Sequence, residues 1–147
     1  MIDIRLANAG DVNEISDIEN ECFTDPWSRE AILNEIENNR ISYIFVAESD
    51  NSIIGYMGIW YILDEGHITN IAVAGKYRKK GVGTLLLSEA IKHGKENNIT
   101  CFTLEVRAGN HEAIKLYEKF GFVKQGIRKE YYEDNKEDAI IMWRKDQ

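Results

Sequence analysis

Cysteine and long apolar runs are scarce in this sequence, and each shortage argues against a class of protein. The only two cysteines, Cys22 and Cys101, lie far apart, with no cysteine or histidine nearby at metal-ligand spacing. We therefore predict no disulfide framework and no metal site. The first residues include an acid, Asp3, where a signal peptide needs an apolar run, and no stretch is long and apolar enough to span a membrane. We expect a cytoplasmic chain with reduced thiols and no membrane association.

Basic residues are in the minority. The chain has 25 acidic residues against 18 lysines and arginines, a formal charge of −7. This balance argues against direct nucleic-acid binding, because phosphate neutralisation needs a basic face. An acidic surface favours a cationic substrate, or it serves only solubility. With 147 residues, 44% of them hydrophobic and 29% charged, the chain has the size and composition of one globular domain, 1–147.

Hydrophobic periodicity predicts an α/β sandwich around a mixed sheet, with elements in the order β-αα-βββ-α-β-α-ββ. Three consecutive strands form an antiparallel meander with turns at 49–52 and 63–66. The predicted strands are 2–6, 43–47, 53–62, 67–73, 101–107, 122–127 and 138–143. Alternation along 101–107 places Glu105 on the sheet face opposite to Leu104 and Val106.

Capping signals and apolar stripes define four predicted helices. The first is expected to begin with a capping box at Asp11–Glu14, and Ser28 is expected to cap the second, with Trp27 packing on Ile32 as a hydrophobic staple. The third runs from Val82 to near Gly94, and the fourth from Asn110 to Gly121. The predicted buried stripes are Val12, Ile15, Ile18 and Cys22 in the first helix, and Val82, Leu85, Leu86 and Ala90 in the third.

The segment Arg78–Thr84, with the sequence RKKGVGT, lies between a predicted strand and the start of a helix. Its glycines allow close approach of the backbone to a ligand, and the free N–H groups of a helix N-terminus attract an anion such as a pyrophosphate. The alternative is a tight turn in a solvated basic loop. The segment lacks the lysine-serine ending of a P-loop and the glycine spacing of a dinucleotide-binding fingerprint.

Glu105 and Tyr117 are the candidate acid–base residues. An isolated glutamate on a strand is usually a solvated surface acid, and a lone tyrosine in an apolar register is usually a core aromatic. Both ordinary interpretations stay open on these residues alone. Glu105 is followed by Arg107 and Asn110, and Tyr117 belongs to the run Leu116–Phe122.

Taken together, these segments resemble the GNAT acetyltransferase superfamily across essentially the whole chain. The motifs LEVR at 104–107, AIKLYEKFGF at 113–122 and the tail with Tyr131, Tyr132 and EDAIIM at 137–142 are similar to those of bacterial ribosomal-protein-alanine N-acetyltransferases, the RimI type. The resemblance implies a single domain with a mixed, mostly antiparallel sheet of about seven strands and four helices. It also implies transfer of acetyl from acetyl-CoA to the α-amino group of a protein N-terminus, that of a small-subunit ribosomal protein.

The resemblance also implies roles for individual residues. Glu105 is the expected general base and Tyr117 the expected general acid. An unshifted glutamate is a weak base, so this role would need a raised pKa in the cleft. The expected cofactor-binding residues are Ile71, Ala72, Val73, Lys79, Lys80, Gly81, Val82, Gly83, Thr84 and Asn110. Among them, the backbone N–H of Val73 is expected to polarise the thioester carbonyl.

Two features leave the substrate and the proton path open. The stretch GHIT at 66–69 is more similar to catalytic subunits of nascent-chain N-terminal acetyltransferases, which makes His67 a further candidate for proton relay. Whether His67 or Glu65 contributes to that relay stays open on the sequence. An acidic cluster next to the tyrosine pair could attract a basic peptide; it consists of Glu130, Glu133, Asp134, Glu137 and Asp138. Acetylation of a small-molecule amine and a non-catalytic CoA-binding domain are the alternative functions.

Overall fold

A seven-stranded sheet forms the middle of the computed structural model, which describes residues 1–146. Its strands are β1 (Asp3–Leu6), β2 (Ser42–Ser49), β3 (Ser52–Ile62), β4 (Glu65–Val73), β5 (Cys101–Arg107), β6 (Val123–Arg128) and β7 (Ala139–Lys145). They lie in the order β1-β2-β3-β4-β5-β7-β6, and every neighbouring pair is antiparallel except β4 with β5. The predicted mixed, mostly antiparallel sheet and its meander β2-β3-β4 are confirmed.

Four helices cover the two faces of the sheet: α1 (Val12–Cys22), α2 (Arg29–Glu37), α3 (Val82–Glu96) and α4 (His111–Lys119). Helices α1 and α2 enclose one apolar cluster with β2 and β3, and α3 and α4 enclose a larger one on the opposite face. The predicted stripe of α1 is confirmed, since Val12, Ile15 and Ile18 are buried. In α3 the assignment of Leu85 is wrong: Leu85 is exposed, and Leu87 packs inside instead.

Helix caps follow the predicted side chains with one exception. Ser28 Oγ accepts a hydrogen bond from the Ala31 N–H at 3.1 Å and so caps α2, as predicted. The predicted capping box at Asp11–Glu14 is wrong, because the box forms one turn earlier, between Asn8 and Asp11. The Asp11 carboxylate accepts from the Asn8 N–H and from the Arg5 guanidinium.

One of the two turns of the meander is shorter than the sequence predicts. Asp50 and Asn51 both have positive φ, as expected for a two-residue hairpin turn, and this turn confirms the prediction. The predicted turn at 63–66 is shorter, because Glu65 and Gly66 already pair with β3. The remaining link between β3 and β4 is Leu63 and Asp64.

Candidate active site

Strands β4 and β5 pair only over their first few residues. Their parallel ladder runs from Glu65 opposite Cys101 to His67 opposite Thr103, although β4 continues to Val73 and β5 to Arg107. Beyond the ladder the two strands diverge, and a gap opens at their carboxyl ends. The functional residues described below lie around this gap.

A β-bulge in β4 stands at the start of the gap. Gly58 pairs with Asn70 and Ile59 with Ile68, so Thr69 is an extra residue without a partner on β3. A Cβ at Gly58 would lie 2.6 Å from Thr69 Oγ1, so any larger residue here would force the Thr69 side chain to move. The bulge shifts the side-chain alternation of β4. As a result Ile71 and Val73 pack toward α3, whereas Ala72 packs in the cluster of α1 and α2.

The backbone of Val73 points into the gap. The Ala74 N–H donates to Ile54 O at 2.8 Å, and Val73 lies opposite Gly55 on β3. Because bonded and non-bonded pairs alternate along an antiparallel ladder, the N–H and C=O of Val73 face away from β3. Its carbonyl oxygen accordingly accepts from Cys22 Sγ at 3.4 Å.

A cavity of about 540 Å³ extends from the gap along the N-terminal ends of α3 and α4. Every predicted cofactor-binding residue except Lys80 lines it: Ile71, Ala72, Val73, Lys79, Gly81, Val82, Gly83, Thr84 and Asn110. Lys80 does not line the cavity; its ammonium lies 5.8 Å from the centre of the Tyr77 ring. The structure therefore brings together residues as far apart in the sequence as Ile71 and Asn110.

The N-terminus of α3 is open toward this cavity. Its N-cap is Gly81 in the left-handed region, with φ of 81°, and no side chain caps the helix there. Helices α2 and α4, in contrast, carry side-chain caps from Ser28 and Asn110. The first N–H groups of α3 are thus available to an external acceptor, which a helix N-terminus binds best when it is an anion.

Tyr117 reaches the same cavity from α4. Its side chain is buried and packs on the Phe122 ring at 5.8 Å between centroids. Burial raises the pKa of Tyr117 above its ordinary value, so the hydroxyl keeps its proton at neutral pH. Tyr117 is therefore a buried core aromatic, the ordinary interpretation of such a residue, and it also lines the cavity.

Glu105 faces the other side of the sheet, as the strand alternation predicts, and does not line the cavity. Its Oε1 accepts from His67 Nε2 at 2.7 Å, and its Oε2 lies 3.5 Å from Arg128 Nε. The hydrogen bond from His67 is the main reason that the pKa of Glu105 lies below its usual range, with burial opposing it and Arg128 reinforcing it. To be an effective base by itself, Glu105 would need a raised pKa. Its surroundings lower the pKa instead.

A buried polar cluster beneath α1 escaped the sequence analysis. Glu19 is 1% exposed and accepts hydrogen bonds from the Trp27 N–H at 2.7 Å and from the Tyr56 hydroxyl. The amide of Asn70, in the bulged part of β4, donates to the same carboxylate at 3.4 Å. One signal was present: Glu19 follows Ile15 by four positions and so lies on the apolar stripe of α1, where an acid needs partners.

Among residues 1–146, no group of three or more histidine, cysteine or acidic side chains is arranged to hold a metal ion. Across the same residues, no helix is both long and apolar enough to cross a membrane.

Comparison with known proteins shows that this chain is an acetyltransferase. Residues 12–122 match the model of the acetyltransferase (GNAT) family, and the chain therefore belongs to that family. A putative [ribosomal protein bS18]-alanine N-acetyltransferase of Bacillus subtilis is 41% identical over 95% of this chain and 93% of its own. An N-alpha-acetyltransferase of Saccharolobus solfataricus is 32% identical over 96% of this chain and 91% of its own.

A solved structure shows the same fold. The crystal structure of the ribosomal-protein-S18-alanine N-acetyltransferase from Escherichia coli superimposes with a TM-score of 0.91 and 31% identity, covering 99% of this chain and 94% of the other. The predicted fold class and the resemblance to ribosomal-protein-alanine N-acetyltransferases are confirmed.

Replacing His67 should raise the pKa of Glu105. In His67→Leu the hydrogen bond disappears while burial, which disfavours the carboxylate, remains. An NMR titration of ¹³C-labelled glutamate side chains measures the pKa, and Arg128→Gln should give a smaller rise in the same direction. Since the folded pKa is depressed, the pair stabilises the fold above the ordinary carboxyl pKa of 4.5 and loses this effect as pH falls through the folded value. If the pKa of Glu105 were the same in His67→Leu as in the wild type, the hydrogen bond from His67 would not be the main cause of the lowered pKa.

Proposed function

We propose that the protein transfers the acetyl group of acetyl-CoA to the α-amino group of a protein N-terminus, that of the alanine of a small-subunit ribosomal protein. The observation that carries the proposal is the gap between β4 and β5, with the cavity on one side and the Glu105–His67 pair on the other. The relatives named as bS18-alanine N-acetyltransferases support the choice of acceptor. A ribosomal acceptor agrees with the expected cytoplasmic location.

Acetyl-CoA fits the cavity through chemistry that the chain already presents. The uncapped N-terminus of α3 offers N–H groups to a pyrophosphate, and Gly81 and Gly83 leave room for it. Lys79 adds a positive charge at the same edge. The apolar stretch Ile71–Val73 suits the pantetheine arm. Asn110 lines the cavity while its side chain caps α4. Acetyl-CoA supplies the thioester carbonyl that the acceptor amine attacks.

Glu105 and His67 form the proposed base. An α-amine has an ordinary pKa of about 7.7–8.0, so most of it carries a proton at neutral pH and has no free electron pair. With its Nε2–H donated to Glu105, the imidazole has its electron pair on Nδ1, where it can take that proton. A carboxylate with a lowered pKa is a poor proton acceptor by itself, but it can orient an imidazole and stabilise the imidazolium that forms. The lowered pKa of Glu105 suits this second role.

Val73 and Tyr117 complete the proposed machinery from the other side of the gap. The Val73 N–H points into the gap and can donate to an oxygen on which negative charge develops. Tyr117, kept protonated by burial, is the proposed acid that donates to the departing thiolate. Transfer is direct, without a covalent enzyme intermediate.

Fewer residues of the acidic cluster near the tyrosine pair are available to a basic peptide than the sequence suggests. Asp134 and Glu137 are paired with Arg107, and Asp138 accepts from the Glu130 N–H. These three acids hold their own loop, so they are poorly placed to attract a basic peptide. Glu130 and Glu133 keep exposed side chains for that purpose.

A negative charge at Gly81 should weaken cofactor binding. Gly81→Asp places a carboxylate where the pyrophosphate is proposed to bind, so CoA affinity should fall at least tenfold below that of Gly81→Asn, on the scale of a lost charged hydrogen bond. The asparagine variant is the matched control, because it has nearly the same shape and the same φ of 81° to adopt. Calorimetry measures both. Equal affinities in the two folded variants would contradict the pyrophosphate assignment.

The proton-transfer residues should affect turnover more than binding. Glu105→Gln and Tyr117→Phe should each lower turnover about 10²–10⁴-fold, the usual range for acid–base groups. His67→Gln should be impaired to a similar extent, because it removes the nitrogen proposed to take the proton. Steady-state kinetics with saturating acetyl-CoA gives the comparison. Full turnover in both Glu105→Gln and Tyr117→Phe would assign the protons to other groups.

The acceptor itself can be tested with two peptides. A peptide with a free N-terminal alanine followed by basic residues should be acetylated at its α-amine, whereas one blocked there but carrying free lysines should not. Mass spectrometry locates the acetyl group. Modification of the lysines alone would overturn the N-terminal assignment. CoA binding with no thiol release for any acceptor, small-molecule amines included, would indicate a non-catalytic CoA-binding domain.

A further inference from the structure

Arg107, the last residue of β5, contacts several residues of the β6–β7 loop, residues 129–138. Its guanidinium donates to both carboxylate oxygens of Asp134, at 2.9 and 3.1 Å, and to Asn135 Oδ1 at 3.2 Å. It also donates to Glu137 Oε1 at 3.4 Å and lies 4.0 Å from the centre of the Tyr132 ring. One side chain thus contacts four residues of a loop that has no regular secondary structure of its own.

The same loop is joined to the opposite wall of the gap. Thr24 Oγ1, in the α1–α2 loop (residues 23–28), donates to Asp134 Oδ2 at 2.7 Å. Two residues earlier, Cys22 Sγ donates to the carbonyl oxygen of Val73. Val73 ends β4 and Arg107 ends β5, so the chain of contacts runs from one diverging strand to the other. Asp134 closes this bridge, because its carboxylate binds Arg107 and Thr24 together.

The bridge lies on the same face as the proposed base. Arg107 and Glu105 are two residues apart on β5, and alternation directs both side chains away from the α3–α4 face. Arg128, the last residue of β6, contacts Glu105 and also lies over the Tyr131 ring, 5.6 Å from its centre. An acceptor that approaches Glu105 from this face meets the two bridged loops.

We propose that Arg107 is a positioning residue for the acceptor: it holds the α1–α2 and β6–β7 loops together across the mouth of the gap, in the arrangement that an N-terminal peptide binds. This inference rests on the proposed function. Isolated surface ion pairs contribute little to stability, but a bidentate arginine within a network, stacked on an aromatic ring, orders several residues at once. If the loops were loose, each peptide would have to order them on binding, and affinity would fall.

Lysine cannot replace arginine in this role. An ammonium is a point charge without the planar fork that binds both oxygens of Asp134 while its flat face stacks on Tyr132. Arg107→Lys should therefore raise the KM for an N-terminal alanine peptide about tenfold, the cost of ordering one or two loop side chains, with a much smaller change in kcat. CoA affinity should be unchanged, because Arg107 does not line the cavity.

A matched control is available at the other end of the sheet. Arg5 also binds two carboxylates, those of Asp11 and Glu48, and its side chain is 34% exposed against 32% for Arg107. Arg5→Lys should change thermal stability without changing the peptide KM. Thr24→Val, which removes only the hydroxyl that joins the loops, should raise KM in the same direction as Arg107→Lys and by less.

Hydrogen exchange tests the positioning role without reference to catalysis. Backbone amides in 23–28 and 129–138 should exchange faster in Arg107→Lys than in the wild type or in Arg5→Lys. The inference is overturned if Arg107→Lys exchanges like the wild type in these loops, or if it keeps the wild-type peptide KM. Failure of the proposed function looks different: the wild type itself would acetylate no peptide, while the exchange comparison would still give its result.

Discussion

Hydrogen bonding between β4 and β5 stops at His67 and Thr103, and the architecture of the site follows from that short ladder. A sheet that stayed paired to Val73 and Arg107 would use the backbone groups of β4 internally and leave no opening. The bulge at Thr69 lies just beyond the end of this ladder and shifts the alternation of β4 where the strands diverge. Gly58 on β3, which has no side chain, leaves room for the Thr69 hydroxyl there. One local irregularity, supported by a single glycine, thus accompanies the opening of the sheet.

The divergence divides the proposed chemistry between two faces. On the α3–α4 face, an apolar cavity ends at an uncapped helix N-terminus, an environment suited to a long ligand with an anionic end. On the other face, Glu105 and His67 form a charged pair beside Arg128. The two surroundings shift pKa values in ways that match their proposed roles: burial keeps Tyr117 protonated, whereas the hydrogen bond from His67 keeps Glu105 ionised. The gap is where these two environments meet.

Polar side chains also join the parts of the molecule that border the gap. Glu19, on the buried face of α1, is hydrogen-bonded to Tyr56 on β3, Asn70 on β4 and the backbone of Trp27 in the α1–α2 loop. Burial raises the pKa of this carboxyl group, and the hydrogen bonds from Trp27 and Asn70 oppose that rise. Removing one partner would leave a buried polar group unsatisfied, so the cluster holds α1, the α1–α2 loop, β3 and β4 in one relative position.

Short-range patterns in the sequence were sufficient to predict the order of elements, the two faces of β5 and the loop that lines the cavity. These features depend on residues close together in the chain. Side-chain alternation alone placed Glu105 opposite Leu104, and the glycines and lysines of Arg78–Thr84 marked the open helix end. The errors at Asp11 and Leu85 are local ones: a cap and a stripe, each displaced by a few residues. The site itself required tertiary structure. His67 meets Glu105 across 38 positions, Arg107 meets Asp134 across 27, and Thr24 meets Asp134 across 110. Such contacts depend on where a ladder ends and how loops fold back, which short-range patterns in one sequence do not encode.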